Sequence, residues 1–136
     1  MIALEDRRDL GELGPLGIKA FIAICSHWHL EDMESANLLG VSIKTMIRWR
    51  TNPPPALGIK SLERISHTIA IFHALGDLLP NLEARNEWVH KLNSAEPFGG
   101  TTVLSVMSAA SNNGLRVVRC YLEAQLGSLP PGRIDK

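Results

Sequence analysis

The stretch SANLLGVSIKTMIRWR, residues 35–50, decides the fold that the sequence predicts. Ala36 is small at a point where two helices would cross closely, and Gly40, four residues later, can take the positive φ of a tight turn. Val41 can fill the corner between the two helices. This spacing predicts a helix-turn-helix, a unit that places its second helix in the major groove of DNA.

The second helix of this unit is predicted to begin at the cap residue Ser42 and to continue to about Arg50. Met46 and Trp49 lie three residues apart, so they share one face of that helix. We expect both side chains to hold the helix against the core. The opposite face is then directed toward a DNA groove.

Polar residues of this helix are the candidates for DNA contacts. They are Ser42, Lys44, Thr45, Arg48 and Arg50. We expect Lys44 and Arg48 to reach guanine edges and Thr45 to make a hydroxyl or methyl contact, while Arg50 contacts a phosphate. The alternative interpretation is an ordinary helical hairpin with a solvated basic face, because short Ala and Gly spacings also arise by chance.

Helical periodicity continues on both sides of this unit, and no segment alternates convincingly as a strand. Helices are predicted at residues 17–28, 30–39, 42–50, 61–79 and 82–92, in a short segment opened by Thr101 and Thr102, and at 114–127. Pro53 to Pro55 and Pro80 end the helices that precede them. The helix at 61–79 has so wide an apolar face that we expect burial between subdomains or between subunits. The predicted fold class is all-α.

The C-terminal third spans residues 87–127 and reads EWVHKLNSAEPFGGTTVLSVMSAASNNGLRVVRCYLEAQLG. It is predicted to form a helix led by Trp88, a glycine loop, a short helix opened by Thr101 and Thr102, and a final helix led by Gly114. The loop is Phe98-Gly99-Gly100. The pair Asn113-Gly114 is typical of a hairpin turn, but apolar residues three and four apart beyond it favour a helix. Four side chains of this third are predicted to face inward: Trp88, Leu92, Val118 and Leu122.

Residues 87–127 resemble the toxin-binding domain of Xre/MbcA/ParS antitoxins, whose usual pattern is W-L, P-N, F-G-G, a short P-L helix and G-x-x-x-V-x-x-Y-L. The matching residues are Trp88, Phe98-Gly99-Gly100, Gly114, Val118 and Tyr121-Leu122. Residues 38–49 are similar to an Xre domain in L-L-G-V-S-x-x-T-M-x-x-W, and the resemblance covers about residues 17–127. The loop at 93–97 and Thr102-Val103 depart from the family pattern.

The resemblance implies an Xre-like helix-turn-helix domain with a connecting helix at residues 1–80, a toxin-binding domain at 81–127 and an irregular tail at 128–136. It implies the antitoxin of a type II toxin-antitoxin system, which masks the active site of an NAD-consuming RES-domain toxin. The same protein would bind its own promoter or operator DNA as a homodimer, with residues 61–79 contributing to the dimer. The residues that it places near the toxin are Arg116, Arg119, Tyr121, Arg133 and Lys136.

The charge balance of the chain agrees with a local DNA-binding surface. Lys and Arg number 14 and Asp and Glu number 14, which argues against a protein that coats nucleic acid non-specifically. Positive residues nevertheless concentrate between residues 43 and 64: Lys44, Arg48, Arg50, Lys60 and Arg64, against Glu63 alone. A basic patch on a neutral protein is expected of a DNA reader with a second partner.

Other features argue against catalysis, metal binding and export. The histidines of His27-Trp28-His29 would diverge on a helix, so we interpret them as a helix end rather than a zinc site. Cys25 and Cys120 have no metal-binding spacing and are predicted to be buried thiols of a reducing cytoplasm. The charged N-terminus is unlike a signal peptide, and no apolar stretch approaches the ~20 residues of a membrane span. The sequence predicts a cytoplasmic protein that is not an enzyme and has no cofactor.

Two other functions fit the same residues. One is a stand-alone transcriptional regulator whose C-terminal domain serves dimerisation or senses a ligand. The other is a protein-interaction adaptor whose basic helix never contacts DNA. The three hypotheses differ in their partners, which the residues alone do not identify.

Overall fold

The fold is all-α, as predicted. A computed structural model describes residues 14–109 and 113–127, which contain seven helices and no strand. The helices are α1 (Gly14–His27), α2 (Asp32–Leu39), α3 (Ile43–Thr51), α4 (Ile59–Leu78), α5 (Leu82–Trp88), α6 (Val103–Met107) and α7 (Asn113–Gly127). None of the helices in this part of the chain is long and apolar enough to cross a membrane.

The long helix α4 is the centre of the fold. It packs against α7 on one side and against α1 on the other, and α3 packs on α2. One hydrophobic core includes Phe21 and Trp28 from the α1 region, Leu75 from α4, and Leu115 and Leu122 from α7. Helices on both sides of the predicted boundary at residue 80 therefore share a core.

The wide apolar face of α4 is largely used within the chain. Ile65, Ile71 and Leu75 are buried, as expected for a helix between two layers. Ile69 and Phe72 are only half-buried, and they line an open groove between α1 and α4. Most of this apolar face is thus covered within one chain, while a smaller apolar strip stays accessible.

Side-chain caps fix where several helices begin. Ser42 accepts a hydrogen bond from the Thr45 amide at 3.1 Å, as predicted for α3. Thr102 caps α6 in the same way, by accepting from the Ser105 amide. Each cap satisfies an amide that has no partner in the first turn of a helix, which is typically worth about 1 kcal/mol.

Two C-terminal predictions need correction. The helix predicted to continue to Leu92 ends at Trp88, and the backbone then turns. Leu92, predicted to face inward, is 76% exposed. Its backbone pairs with Thr102 in an isolated bridge, and the next amide, of Asn93, donates to the Thr101 carbonyl. Since the chain is extended there rather than helical, the helical spacing that predicted an inward Leu92 does not apply.

Candidate functional site

The turn between α2 and α3 has the predicted geometry. Gly40 adopts φ 82°, and the amides of Gly40 and Val41 both donate to the Ala36 carbonyl, at 2.8 and 3.0 Å. A Cβ at residue 40 would also lie 2.9 Å from Nε of Arg64. Conformation and space therefore both favour glycine at this turn.

Arg64 does not belong to the exposed basic patch predicted from the sequence. It is buried, and its guanidinium donates a hydrogen bond to the Leu38 carbonyl at the end of α2. This contact satisfies a carbonyl that the last turn of a helix leaves without a partner. Arg64 thus joins α4 to the α2–α3 turn.

The anchoring face of α3 is as predicted. Met46 is fully buried, and Trp49 is half-buried against the core. Lys44 and Arg48 are exposed on the other side of the helix. In the described part of the chain, neither cationic side chain makes an ion pair. Two positive charges of α3 are therefore available to an anionic partner.

Ser42 and Thr45 are occupied with each other. The Ser42 hydroxyl donates to Oγ1 of Thr45 at 3.0 Å and accepts from the Thr45 amide. Thr45 is also half-buried, because it lies one turn from Trp49 on the side of the helix next to the core. The structure therefore gives Ser42 a capping role, supported by the Thr45 hydroxyl, and leaves Thr45 less access to a partner than the sequence predicts.

Arg50 is an ion-pair residue rather than a free cation. Its Nε lies 2.7 Å from Oδ1 of Asp32, and both side chains are partly exposed. Since Asp32 is the first residue of α2, the pair joins the end of α3 to the start of α2. The guanidinium has further nitrogen atoms, so a phosphate contact by Arg50 stays a prediction.

Two residues on the exposed face of α3 were missed by the sequence prediction. Ile43 and Ile47 are 40% and 50% exposed, one turn apart and beside Lys44 and Arg48. At about 100° per residue, Ile47 lies about 100° around the helix from Met46 and Ile43 only about 60°. The spacing therefore predicts that Ile43 lies beside the core face, and its exposure follows only from the structure.

In the C-terminal part, the loop Phe98-Gly99-Gly100 is held by its aromatic residue. Phe98 is buried, and its ring lies 6.0 Å from that of Trp88 and 5.1 Å from that of Tyr121, both edge-on. Gly99 and Gly100 have φ values of 61° and 89°, which other residues rarely adopt. The segment Phe98-Gly99-Gly100 therefore fixes the conformation of this loop.

The predicted toxin-facing residues are placed differently from one another. Arg116 is exposed on α7. Arg119 is half-buried, and its guanidinium contacts Oε2 of Glu123 at 3.1 Å and Nδ1 of His67 at 3.2 Å. Tyr121 is half-buried because its ring packs on Phe98. Arg133 and Lys136 lie outside the described residues.

The contact between Arg119 and His67 has an electrostatic signature. Burial, and then the positive charge of Arg119, lower the pKa of His67 below its usual value of 6.5. The guanidinium donates, so Nδ1 of His67 must be an unprotonated acceptor. The contact is therefore made with neutral histidine.

A shallow apolar depression of about 200 Å³ lies where α4, α5 and α7 meet. Its lining residues are Leu75, Leu78, Leu79, Trp88, Tyr121, Leu122 and Gln125. The volume is below the ~300–1,000 Å³ of typical small-molecule sites. A single apolar side chain of a partner would fit a depression of this size.

Cysteine placement partly corrects the sequence prediction. Cys25 is buried, which raises the pKa of its thiol to about 11. Cys120 is exposed, because it lies on the outer face of α7 between the buried positions Val118 and Leu122. Among the residues described, no cluster of three or more His, Cys, Asp or Glu residues is arranged to hold a metal ion.

Comparison with known proteins places this helical protein in a family. No protein-family profile matches the sequence. The chain is 30% identical over 114 residues to the uncharacterized protein y4oB of Sinorhizobium fredii (strain NBRC 101917 / NGR234). The matched region covers 83% of this chain and 86% of the relative. The chain belongs to the same family as y4oB.

Proposed function

We propose that this protein is the antitoxin of a type II toxin-antitoxin system, with one surface for DNA and another for the toxin. The observation that carries the proposal is the exposed cationic face of α3. Met46 anchors the opposite face of this helix in the core, and the turn at Gly40 precedes the helix. A single α-helix fits the major groove of B-DNA. In this proposal α2 and α3 form the helix-turn-helix, and α3 is its recognition helix.

Lys44 and Arg48 are the proposed base-reading cations. Both are exposed, and they lie one turn apart on the outward face of α3. Arg50 is held by Asp32, so its proposed role is to contact a phosphate while fixing α3 against α2. Ser42 and Thr45 support the N-terminal turn of α3, where base contacts of such helices concentrate.

Dimer formation is proposed to use the groove between α1 and α4. A cavity of about 410 Å³ there is lined by Leu16, Gly17, Ala20, Leu62, Ile65, Ser66 and Ile69. A second cavity of about 270 Å³ continues it past Phe72 and shares Ala20 and Ile69. A continuous apolar groove supports pairing with a second copy, and two recognition helices supply the base contacts that one lacks.

The toxin surface is proposed to include α7 and the tail beyond it. Arg116 is an exposed cation on α7. Tyr121, which follows it on the same helix, lines the apolar depression between α4, α5 and α7. Leu92 adds an exposed apolar side chain to the same half of the protein. In the proposed mechanism this surface covers the active-site entrance of a RES-domain toxin, with Arg119, Arg133 and Lys136 as further contacts.

A protein-interaction adaptor is the second candidate, and the start of α2 favours it. Glu31, Asp32 and Glu34 lie at this helix terminus, next to the end of α3. Carboxylates close to a phosphate backbone oppose binding. The adaptor would use α3 and α7 to join two proteins.

Co-expression with the adjacent reading frame tests the proposal. An antitoxin should co-purify with that product, restore growth and restore cellular NAD, while a mobility shift on its own upstream DNA shows autoregulation. DNA binding without neutralisation would identify the stand-alone regulator instead. Protein binding with neither neutralisation nor DNA binding would identify the adaptor.

A further inference from the structure

The exposed face of α3 carries two parallel pairs of side chains. Ile43 and Ile47 form an apolar pair one turn apart, and Lys44 and Arg48 form a cationic pair beside them. Met46 is fully buried and anchors α3 in the core, and the isoleucines lie beside that face of the helix. Both isoleucines nevertheless remain accessible to a partner.

Ile43 and Ile47 are two of the exposed large apolar side chains among the residues described. They present 40% and 50% of their surface, and isoleucine is a weaker helix former than alanine or lysine. Burying such side chains against a partner is favourable in proportion to the apolar area removed from water. The partner surface must offer apolar groups next to groups that attract cations.

The thymine edge in the major groove meets this requirement. It presents a C5 methyl group, while guanine presents the O6 and N7 acceptors that pair with Arg or Lys. Along α3 the two isoleucines are separated by about 6 Å of helix rise, and successive bases by about 3.4 Å. The pair can thus reach bases up to about two positions apart.

We propose that Ile43 and Ile47 are specificity-determining residues that pack on thymine methyl groups, next to guanines contacted by Lys44 and Arg48. The inference rests on the DNA-binding part of the proposed function. Charge selects the occupant, because the two cations beside the apolar pair make no ion pair in the described part of the chain. The recognised sequence then combines thymine and guanine within one half-site.

Replacing thymine by deoxyuracil in the bound DNA tests this inference, because only the methyl group is removed. The full-length protein first selects its sequence from a random duplex library. Each contacted thymine is then replaced in turn. We expect about fourfold weaker binding per contacted methyl, the factor given by burying one such group.

The variants separate the side chains. Each of the variants Ile47→Ala and Ile43→Ala should lose the preference for thymine over uracil at one position. That position is the base that the replaced isoleucine contacts. Lys44→Ala should weaken binding to both forms and keep their ratio. Ile59→Ala is the matched control, because Ile59 is 49% exposed at the start of α4 and should change nothing.

The possible failures are distinct. If a sequence is selected but uracil binds as well as thymine at every position, the methyl contacts are wrong and DNA binding by α3 stands. If no sequence is enriched, the DNA-binding proposal and this inference fail together. Loss of partner-protein binding by Ile47→Ala, without DNA selection, would assign the face to a protein.

Discussion

The buried guanidinium of Arg64 donates a hydrogen bond of 3.1 Å to the carbonyl oxygen of Leu38. This contact ties the central helix α4 to the end of α2, immediately before the turn at Gly40. Replacing Arg64 by Met keeps much of the apolar stem but removes the donor. The geometry of the α2–α3 turn then depends on fewer contacts.

We expect Arg64→Met to lower the free energy of unfolding by about 1–3 kcal/mol, because a buried carbonyl loses a charged donor. DNA binding should weaken as well, since α3 is positioned through this turn. Urea denaturation and a mobility shift measure the two effects. Lys60→Met is the control, because Lys60 is exposed one turn earlier on α4, and equal stability of both variants would contradict the capping role.

Arg48→Ala should weaken promoter binding at least about fivefold, because a side chain paired with a guanine contributes ~1–3 kcal/mol of discrimination. Toxin neutralisation should be unchanged, since α7 and the tail are not altered. Mobility shifts and growth rescue measure the two activities. Lys91→Ala removes an exposed charge from the loop after α5 and serves as control. Equal shifts for Arg48→Ala and the natural protein would refute the recognition-helix assignment.

Gly114→Ala should destabilise the protein by about 3 kcal/mol, because a Cβ at residue 114 would run into the carbonyl oxygen of Val106. The backbone carbonyl of Val106 cannot move aside as the end of a flexible side chain could. Gly76→Ala is the matched helical control, since its Cβ would lie 3.5 Å from Nη1 of Arg85, the end of a flexible side chain. Chemical denaturation should show a stable Gly76→Ala variant, and a Gly114→Ala variant of equal stability would disprove the close approach of α6 and α7.

His67 predicts a pH dependence of stability. Burial and Arg119 lower the pKa of His67 in the folded protein below the usual 6.5, so the unfolded chain binds the proton more readily. The stabilising contact is present above about pH 6.5 and is lost as the pH falls from there through the folded pKa. Between about pH 7.5 and about pH 5, the melting temperature should therefore fall less for His67→Gln than for the natural protein.

His73→Gln is the control for that measurement, because it removes an exposed histidine from the same helix. Its melting temperature should fall with pH as much as that of the natural protein. If His67→Gln and His73→Gln respond identically, the contact with Arg119 does not contribute to the pH dependence.

Deleting Pro130 to Lys136 should reduce toxin neutralisation and leave the melting temperature unchanged. The core side chains that the structure describes lie within residues 14–127, and the deletion removes none of these. Arg133→Ala combined with Lys136→Ala tests whether the two charges account for the effect. Full neutralisation by the truncated chain would remove the tail from the mechanism.

The helices were predictable because their signals are local. Met46 and the Ser42 cap fix α3 by spacing alone, and Gly40 marks the turn between α2 and α3. Leu92 was misplaced because its helical spacing continued past the residue at which the backbone leaves the helix. Hydrogen bonds to a later segment, near Thr101, decide that end, and they have no local signature.

The composition of the α3 surface was less predictable than its position. Nothing in the sequence distinguishes Arg50 and Arg64 from Arg48. In the structure, however, Arg50 pairs with Asp32 and Arg64 caps the end of α2. Ile47 has the character of a core residue and is half exposed. Whether a side chain is free depends on which distant groups the fold brings beside it.

The position of α4 between α1 and α7 bears on how long the protein survives in a cell. Because Leu75 and Leu122 belong to the same core as Phe21, we expect the whole chain to unfold in one cooperative step. A protease that captures the unfolded chain would then abolish both surfaces together. In a toxin-antitoxin system, repression and neutralisation would end at the same moment.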